Sequence, residues 1–266
     1  MKVYSHSLQG RRESNEDQHY HLLNIDGDNK DHNPINLFAV FDGHGGKKVS
    51  KYLKDNLPKF FIDKFKKNIY NKDDSTLKYV NKVYELIQST MMKDHPRAAQ
   101  YCGSTACVGI QYKDDQLKNK LWVINVGDSR AVLCNKMNIA QQLTQDHKPN
   151  SPEEKSRIEQ LGGKIVYDGV DWRVKDLSLS RAFGDLECTP EVTHIPQVYK
   201  YKISAGDKFL IFACDGLWDV ISNQDAADFV NELIKNNFKG NYAKELAEHA
   251  YKKGSLDNIT TIIHML

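Results

Sequence analysis

The sequence predicts an α+β fold in which two antiparallel β-sheets pack face to face as a central β-sandwich, flanked by pairs of α-helices in a four-layer αββα arrangement. Two observations favour it. The candidate strands follow one another in groups instead of alternating with helices, and the candidate helices come in pairs between those groups. Consecutive strands joined by tight turns favour antiparallel sheets, and helix pairs outside would bury the outer face of each sheet.

The strands are predicted from short apolar or alternating runs that are bounded by glycine, aspartate or asparagine. Such runs occur at residues 2–7, 19–23, 36–41, 105–112, 121–126, 130–134, 139–143, 177–180, 197–202, 208–214 and 259–264. The densest turn-forming stretch, residues 24–34, predicts a loop between the second and third of these strands.

Helices are predicted where apolar residues recur at three- and four-residue steps. Pro58 is a candidate break in the first of these runs, because proline removes a helical hydrogen bond. Ser222 followed by Asp225 resembles a capping start for the fourth helix. The runs with helical spacing are residues 49–65, 77–91, 151–161, 226–234 and 246–251.

The composition limits the number of domains and the kinds of binding partner that the protein can have. No low-complexity linker or repeat divides the 266 residues, so we expect residues 1–266 to form a single domain. The 37 Lys and Arg residues nearly balance the 35 Asp and Glu residues, and the net charge of +2 argues against nucleic acid as a partner. No apolar run approaches the roughly 20 residues of a membrane span. The even charge distribution favours a monomer.

The five cysteines are odd in number and lack Cys-x-x-Cys spacing; they are Cys102, Cys107, Cys134, Cys188 and Cys214. This pattern favours small buried side chains in a reducing compartment over disulfides or a zinc site. Residues 1–10 lack the apolar core of a secretory signal. We therefore expect a cytoplasmic protein, with the nucleus as a second location.

Acidic residues recur where predicted strands begin or end. Taken singly, each is more typical of a turn than of a site. Taken together, carboxylates that converge at strand ends repel one another unless cations neutralise them. Oxygen ligands of this kind suit hard cations such as Mg²⁺ or Mn²⁺, two of which can share a hydroxide that attacks phosphorus in line. The acidic residues concerned are Glu16, Asp17, Asp42, Asp128, Asp215 and Asp257.

Nine short motifs, taken in chain order, resemble those of the metal-dependent protein phosphatases of the 2C type. The similarity spans nearly the whole chain, and the ordered set is far more specific than any single motif. The motifs are residues 10–17 (GRRESNED), 38–46 (FAVFDGHGG), 103–106 (GSTA), 125–130 (NVGDSR), 143–149 (LTQDHKP), 153–163 (EEKSRIEQLGG), 179–185 (LSRAFGD), 213–220 (ACDGLWDV) and 257–260 (DNIT).

The resemblance implies metals in a cleft at one end of the sandwich, and hydrolysis of phosphoserine and phosphothreonine in protein substrates. By position, Asp42 would bridge two Mg²⁺ or Mn²⁺ ions, and Asp215 and Asp257 would complete the first site. A weaker third ion is implied at Asp128, shared with Asp215 and joined by Asp219. The ligands implied for the second ion are the Gly43 carbonyl and, through waters, Glu16 and Asp17.

The resemblance also implies roles for three basic residues. Arg12 matches the arginine that grips the substrate phosphate, and a guanidinium suits this because its fork donates two parallel hydrogen bonds. His44 matches the proposed general acid for the leaving alkoxide, since an imidazole pKa of about 6.5 suits proton transfer near neutrality. Arg181 is expected to be structural, forming buried hydrogen bonds.

The sequence lacks the motifs of other phosphatase classes. No Cys-x5-Arg loop of tyrosine phosphatases is present, and neither is the Gly-Asp-x-His-Gly signature of calcineurin-like enzymes. Residues 43–47 are glycine-rich but lack the spacing of a P-loop. The alternative that stays open is a catalytically inactive pseudophosphatase that binds phosphoproteins. Inactive relatives tend to lose metal aspartates, whereas Asp42, Asp215 and Asp257 are all present, which favours an active enzyme.

Two departures from the family pattern bear on the substrate side. Lys175-Asp176 stands where Asn-Gly is usual, which weakens the turn expected before the 179–185 motif. The connection over residues 186–196 is short. Because family members often recognise substrates through the neighbouring flap, the sequence leaves substrate preference open.

Overall fold

The computed structural model describes residues 2–24, 35–63, 73–114, 116 and 118–266. Residues 25–34 of the predicted loop and the end of the first predicted helix, including Phe65, lie outside these ranges. The described chain forms two five-stranded antiparallel sheets that pack face to face between helices. The predicted four-layer αββα fold is therefore confirmed.

One sheet holds the first and last strands of the chain, and we call it the terminal sheet; the other is the inner sheet. The predicted strands of both sheets are confirmed, with ends that shift by at most two residues. The terminal sheet has the order β1 (Lys2–Leu8), β15 (Ile259–Met265), β14 (Phe209–Ala213), β8 (Arg130–Cys134), β9 (Ala140–Gln142). The inner sheet has the order β13 (Gln197–Lys202), β7 (Asn119–Val126), β6 (Ala106–Lys113), β3 (Asn36–Phe41), β2 (Gln18–Leu22).

The core between the sheets depends on aromatic rings from both of them. Phe38 of β3 and Phe212 of β14 are fully buried, with ring centroids 5.8 Å apart. Gly109 of β6 makes room for this contact, because a Cβ there would lie 2.3 Å from Phe212 Cζ. A side chain at position 109 would therefore push the two sheets apart at the centre of the sandwich.

Helices cover the outer faces of both sheets. Three pack on the inner sheet: α1 (Lys48–Asp63), α2 (Asp73–Asp94) and α3 (Pro96–Tyr101), which was not predicted. Two pack on the terminal sheet: α6 (Asn223–Lys235) and α7 (Tyr242–Lys252). Between them in the chain lie α4 (Pro152–Gln160) and the single turn α5 (Asp215–Trp218).

Two local expectations about the helices have different outcomes. Pro58 does not break α1, so that candidate break is wrong. The cost of an interior proline, ~3 kcal/mol, is outweighed here by the packing of Leu53, Leu57 and Phe61, which are fully buried on the inner sheet. The capping start of α6 is confirmed, since Ser222 Oγ accepts a hydrogen bond from the Asp225 amide at 3.1 Å.

Two small sheets were missed in the sequence because two-residue strands show no periodicity. A three-stranded sheet joins β4 (Gly43–His44), β5 (Gly103–Ser104) and β12 (Phe183–Gly184) at one end of the sandwich. A separate hairpin pairs β10 (Val166–Tyr167) with β11 (Trp172–Arg173). The first of these sheets is important for the site, because β4 follows Asp42 directly.

The predicted strand at residues 177–180 is wrong. Its backbone groups bond to three different segments instead of one neighbouring strand. The Leu177 amide donates to the Val174 carbonyl, the Ser180 amide to that of His147, and the Thr193 amide to the Ser180 carbonyl. An apolar run specifies burial, but a ladder also needs one continuous partner.

The weakened turn at Lys175-Asp176 is nevertheless present. Both residues have left-handed backbones, with φ of 49° and 68°. Val174 and Leu177 exchange amide-to-carbonyl hydrogen bonds of 3.0 and 2.9 Å across it. Two successive residues with positive φ form the tight turn that Asn-Gly favours, and aspartate tolerates this conformation better than most residues do.

Among the described residues, no helix combines the length and the apolar character needed to cross a bilayer. All five cysteines are free thiols, as predicted. Cys107, Cys134 and Cys214 are buried, whereas Cys102 and Cys188 are partly exposed.

Candidate functional site

The predicted acidic residues meet at one end of the sandwich, because antiparallel pairing puts the end of one strand beside the start of the next. Asp17 precedes β2 and Asp42 follows β3, and these strands are paired neighbours. Asp215 follows β14 closely and Asp257 precedes β15, which are also paired. Asp128 joins them because the chain steps there from β7 of the inner sheet to β8 of the terminal sheet.

The step between the sheets needs a glycine. Gly127 has a φ of 98°, and a Cβ on it would lie 2.5 Å from Thr105 Cγ2. Thr105 in turn positions the neighbouring strand end, since its Oγ1 accepts a hydrogen bond from the Asp42 amide at 3.0 Å and lies 2.7 Å from Ser129 Oγ. Thr105 therefore ties the loop that carries Asp42 to the loop that carries Asp128.

Asp17 and Asp42 form the deepest part of the cluster. Asp17 is 3% exposed, and neither of its carboxylate oxygens has a hydrogen-bond partner in the described structure. Burial raises the pKa of Asp17 to about 6. Burial, followed by repulsion from Asp17, Asp215 and Asp128, raises the pKa of Asp42 well above its usual range. Both shifts show that negative charge is inadequately compensated here.

Lys148 compensates the other side of the cluster, and the sequence analysis missed it. Its Nζ lies 2.5 Å from Asp128 Oδ2 and 4.0 Å from Asp215 Oδ2. The pKa of Asp215 is still raised well above its usual range, first by burial and then by Asp128. Asp219 follows one turn later, where its amide donates to the Asp215 carbonyl at 2.8 Å. Burial also raises the pKa of Asp219.

Asp257 meets Arg12 at the rim of the cleft. The Arg12 guanidinium lies 2.6 Å from Asp257 Oδ2, and its side chain is 59% exposed. Asn258 holds the two chain segments together, because its side chain donates to the carbonyls of Gln9 and Ser14 and accepts from the Glu16 amide. Asn258 was also missed, although it lies inside the 257–260 motif.

His44 is oriented by Asp185, a further residue that the sequence analysis missed. His44 Nε2 lies 2.7 Å from Asp185 Oδ2. Burial alone would lower the pKa of His44, but the hydrogen bond and charge of Asp185 outweigh it and raise the pKa. Gly103 allows this contact, because a Cβ there would lie 2.0 Å from Asp185 Oδ2 and 2.3 Å from His44 Nε2. The small sheet of β4, β5 and β12 thus creates the pair.

Glu16 and Gly43 are in close contact. A Cβ on Gly43 would lie 2.5 Å from the Glu16 carbonyl oxygen, so only glycine fits there. Glu16 Oε2 accepts a hydrogen bond from the Gly46 amide at 2.9 Å, and its carbonyl accepts from the Ser50 hydroxyl. The Glu16 carboxylate therefore also supports the glycine-rich loop after His44.

The residues present fit a hard divalent cation. A buried carboxylate without a partner is costly unless it is protonated or neutralised, and Asp17 has two such oxygens. One carboxylate oxygen each from Asp17 and Asp42 lies within 4.8 Å of the other. Carboxylate oxygens are the ligands that Mg²⁺ and Mn²⁺ prefer. A cleft of about 490 Å³ opens onto this cluster; it is lined by Asp42, Asp128, Asp215, Asp257, Arg12 and His44, among others.

The three missed residues had a common signal. Lys148, Asp185 and Asn258 each lie inside a motif that the sequence analysis had already singled out. The side chain of each lies far along the chain from the residues that it contacts. The motifs therefore marked the segments, whereas the pairings between segments came from the fold.

Comparisons with known proteins show the family and the fold. The sequence profile of the family described as Protein phosphatase 2C matches residues 1–259. A curated relative, "Probable protein phosphatase 2C 59" of Arabidopsis thaliana, is 37% identical over 265 residues, which cover 97% of this chain and 77% of the relative.

Two solved structures are similar. One is described as a sex-determining protein of C. elegans; it matches with a TM-score of 0.86 at 28% identity and covers 99% of this chain. The chain spans 64% of that protein's length. The other, serine-threonine phosphatase 2C from Toxoplasma gondii, has a TM-score of 0.83 at 23% identity, covering 99% of this chain and 94% of that one. At this identity the second comparison shows the fold alone.

Proposed function

The chain belongs to the protein phosphatase 2C family, and from this premise we propose that it is a metal-dependent protein phosphatase that hydrolyses phosphoserine and phosphothreonine. One observation carries the proposal. A single cleft holds a cluster of poorly compensated carboxylates, an exposed guanidinium and an imidazole with a raised pKa. These are the groups needed to hold cations, to bind a phosphate and to protonate a leaving alkoxide.

The carboxylates are proposed to hold Mg²⁺ or Mn²⁺. Divalent cations bound there would supply charge to the phosphate oxygens and acidify a water for in-line attack on phosphorus. Asp42 would be the shared ligand, because it is close enough to both Asp17 and Asp215 for their charges to raise its pKa. The further ligands proposed are Asp215 and Asp257 for the first ion, and Gly43, Glu16 and Asp17 for the second. A weaker third ion would be held by Asp128, which shares Asp215 with the first ion and is joined by Asp219.

Arg12 is proposed to bind the substrate phosphate. Its side chain is exposed and its partner in the structure is Asp257. An exposed ion pair contributes only about 0–1 kcal/mol, so a phosphate dianion can replace Asp257 as the partner of the guanidinium. Because Asp257 is also a proposed cation ligand, its use there would leave Arg12 available for two parallel hydrogen bonds to the phosphate.

His44 is proposed to protonate the leaving oxygen of the serine or threonine. Nε2 of the ring faces Asp185, so Nδ1 is the atom that would deliver the proton into the cleft. The carboxylate of Asp185 raises the pKa of His44, which keeps the ring protonated nearer to neutral pH. A protonated imidazole is the form that a general acid requires.

The test measures phosphate release from a phosphothreonine peptide by the metal-stripped protein, with Mn²⁺, Mg²⁺ or EDTA added. A phosphotyrosine peptide of the same sequence is the control for substrate class. The proposal expects metal-dependent release from the phosphothreonine peptide. No release with any metal, from protein shown to be folded by circular dichroism, would support a pseudophosphatase that binds phosphoproteins instead.

The remaining expectations stay predictions. They are that residues 1–266 form one domain, that the protein is a monomer, that it acts in the cytoplasm or nucleus, and that it binds neither nucleic acid nor membranes.

A further inference from the structure

Cys214 is a fully buried thiol that the proposed chemistry does not use, yet it lies at the cation centre. We propose that Cys214, Asp17 and Asp42 form a site for a thiophilic divalent cation, Cd²⁺ or Zn²⁺, which displaces Mg²⁺ or Mn²⁺ and blocks the enzyme. The binding part stands on the geometry alone. The expected inhibition also rests on the proposed function.

The three side chains offer their ligand atoms at short range. Cys214 Sγ and one carboxylate oxygen each from Asp17 and Asp42 all lie within 4.8 Å of one another. A tetrahedral ion with bonds of about 2.0–2.3 Å holds its ligand atoms roughly 3.5 Å apart. The side chains would therefore close on such an ion by a movement of about 1 Å.

The direction of the thiol follows from the strand that precedes it. Ala213, the last residue of β14, packs in the core beneath α6 and α7. Cys214 packs in the core between the sheets, together with Phe38 and Val40 of β3. Because successive side chains of a strand point to opposite faces, the thiol faces the inner sheet at the end from which Asp42 extends.

Asp17 independently indicates a missing ligand at this point. It is 3% exposed, and both of its carboxylate oxygens lack a hydrogen-bond partner in the described structure. Since the oxygen of Asp17 and the sulfur of Cys214 belong to the same close group, a cation that satisfies the carboxylate is within reach of the thiol.

Burial and the carboxylates of Asp17, Asp42 and Asp215 raise the pKa of the Cys214 thiol, so the sulfur keeps its proton until a cation replaces it. Two backbone groups lie within hydrogen-bonding distance of the sulfur. The Thr260 amide donates a hydrogen bond to Cys214 Sγ at 3.1 Å, and the thiol can donate to the Asn258 carbonyl at 3.4 Å. When a cation binds, the S–H proton leaves to solvent and the sulfur–metal bond takes its place. The Thr260 hydrogen bond persists and stabilises the negative sulfur.

The sulfur also discriminates between cations. Mg²⁺ takes oxygen ligands almost exclusively, so it gains nothing from Cys214. Soft thiolate ligands select zinc and the heavier thiophilic cations. Because Asp17 and Asp42 are also proposed ligands of the catalytic ions, the two kinds of cation would compete for the same carboxylates.

The experiment titrates metal-stripped protein with Cd²⁺ and follows the ultraviolet sulfur-to-cadmium charge-transfer absorption. The background carries Cys102→Ser and Cys188→Ser, which remove the two partly exposed thiols. We expect an absorption that saturates at one Cd²⁺ per chain. Cys214→Ser in this background should abolish the absorption and weaken Cd²⁺ binding at least tenfold.

Cys107→Ser is the matched control. Cys107 is equally buried in the core between the sheets but does not belong to the carboxylate group. It should keep both the absorption and the affinity. If the absorption persists in Cys214→Ser, or is lost equally in Cys107→Ser, the site is wrong. Should Cys214→Ser fail to fold, Asp17→Asn provides the second test, and an unchanged Cd²⁺ affinity in that variant also overturns the site.

A parallel assay separates this site from the proposed function. Cd²⁺ is added to the Mn²⁺-supported release of phosphate, and we expect the half-inhibiting concentration to rise at least tenfold in Cys214→Ser relative to Cys107→Ser. An equal concentration for both variants would overturn the competition between cations. If no variant releases phosphate, the proposed function fails, and the charge-transfer titration still decides whether the thiol site exists.

Discussion

Two buried carboxylates in this molecule have opposite properties. Glu154 of α4 is 2% exposed and Asp17 is 3% exposed, so both have almost no surface in contact with water. Burial would raise the pKa of Glu154, but hydrogen bonds and charge from Arg181, then Ser180 and Arg157, lower it to about 2. Burial raises the pKa of Asp17 to about 6, and it outweighs the smaller opposing contributions of Thr260, Cys214 and Asp42. Two carboxylates with almost no exposed surface therefore have pKa values shifted in opposite directions, because the partners of Glu154 outweigh its burial and those of Asp17 do not.

The opposite pKa shifts distinguish Glu154, a structural carboxylate, from Asp17, a carboxylate available to bind a ligand. Arg181 binds Glu154 through Nε at 3.0 Å and through a terminal nitrogen at 2.5 Å, and it also donates to the Ile195 carbonyl. The expectation that Arg181 forms buried hydrogen bonds is confirmed. Glu154 ties α4 to the segment around residues 180–195. Among the described residues, the Asp17 carboxylate accepts no hydrogen bond that would join two segments, which is the arrangement expected where a cation completes the structure.

The largest expected effect is the loss of activity when a carboxylate of the cleft is removed. Asp42→Asn should lower metal-supported phosphate release by roughly 10³-fold or more, since a shared cation ligand contributes several kcal/mol to the transition state. The same change removes a repelling charge, so the metal-free protein should become more stable to urea. Asp55→Asn on the exposed face of α1 is the control. Unchanged turnover in Asp42→Asn would remove the metal assignment.

The next largest effect is the loss of stability when the structural carboxylate of Glu154 is removed. Glu154→Gln leaves Arg181 and Arg157 without their carboxylate, and loss of one partner of a buried ion pair costs about 3–5 kcal/mol. Urea unfolding of the metal-free protein measures this loss, and Asp17→Asn should change stability in the opposite direction. If both variants were destabilised equally, the distinction between the two carboxylates would be wrong.

The pH dependence of stability also distinguishes Asp17 from Glu154, because folding shifts their pKa values in opposite directions. The pKa of Asp17 is raised in the folded protein, so its contribution is present below pH 3.8 and is lost as the pH rises through 6. The pKa of Glu154 is lowered, so its contribution is present above pH 4.5 and is lost as the pH falls through 2. Each amounts to about 3 kcal/mol.

Urea titrations of the metal-free protein between pH 2 and 7 test this prediction. Asp17→Asn should remove the decline between about pH 4 and 6, and Glu154→Gln should remove the rise between about pH 2 and 4.5. If stability still declines over this pH range in Asp17→Asn, the decline belongs to another carboxylate of the cluster, such as Asp42 or Asp215.

Asp185 is a third buried carboxylate, and in the described part of the chain its side chain pairs with His44. His44→Gln should lower kcat for a phosphothreonine peptide by about 10²-fold, within the usual range for a general acid. The loss should be much smaller for nitrophenyl phosphate, whose leaving group needs no proton. Asp185→Asn should shift the alkaline limb of the kcat profile, where the general acid loses its proton, to lower pH. Equal losses on both substrates would exclude the acid role.

The smallest effect concerns Asp257 and its exposed partner. Arg12→Ala should raise KM for a phosphopeptide by about tenfold and leave kcat nearly unchanged, because binding of the phosphate is lost in ground state and transition state alike. Arg11→Ala, one position earlier and also exposed, is the matched control. A fall in kcat of the same size would instead give Arg12 a role in the transition state.

Much of the site could be predicted because local sequence carries it. Asp42, Asp128, Asp215 and Asp257 directly border or closely flank strands whose apolar runs are evident in the sequence. Those strands have buried faces, so their register is strongly specified. Any fold that paired them antiparallel would bring their ends together. The short strands β4, β5 and β12 could not be predicted, because two residues have no periodicity.

By itself, the sequence determined the strands of the two large sheets, the five longer helices, which faces are apolar and which acidic residues lie at the strand ends. Only the tertiary structure decided the pairings between distant residues: His44 with Asp185, Lys148 with Asp128, and Asp17 with Cys214. The physical reason is that apolar periodicity specifies burial but not the neighbour. A carboxylate's charge, pKa and use depend on that neighbour, so Glu154 and Asp17 differ only once the chain has folded.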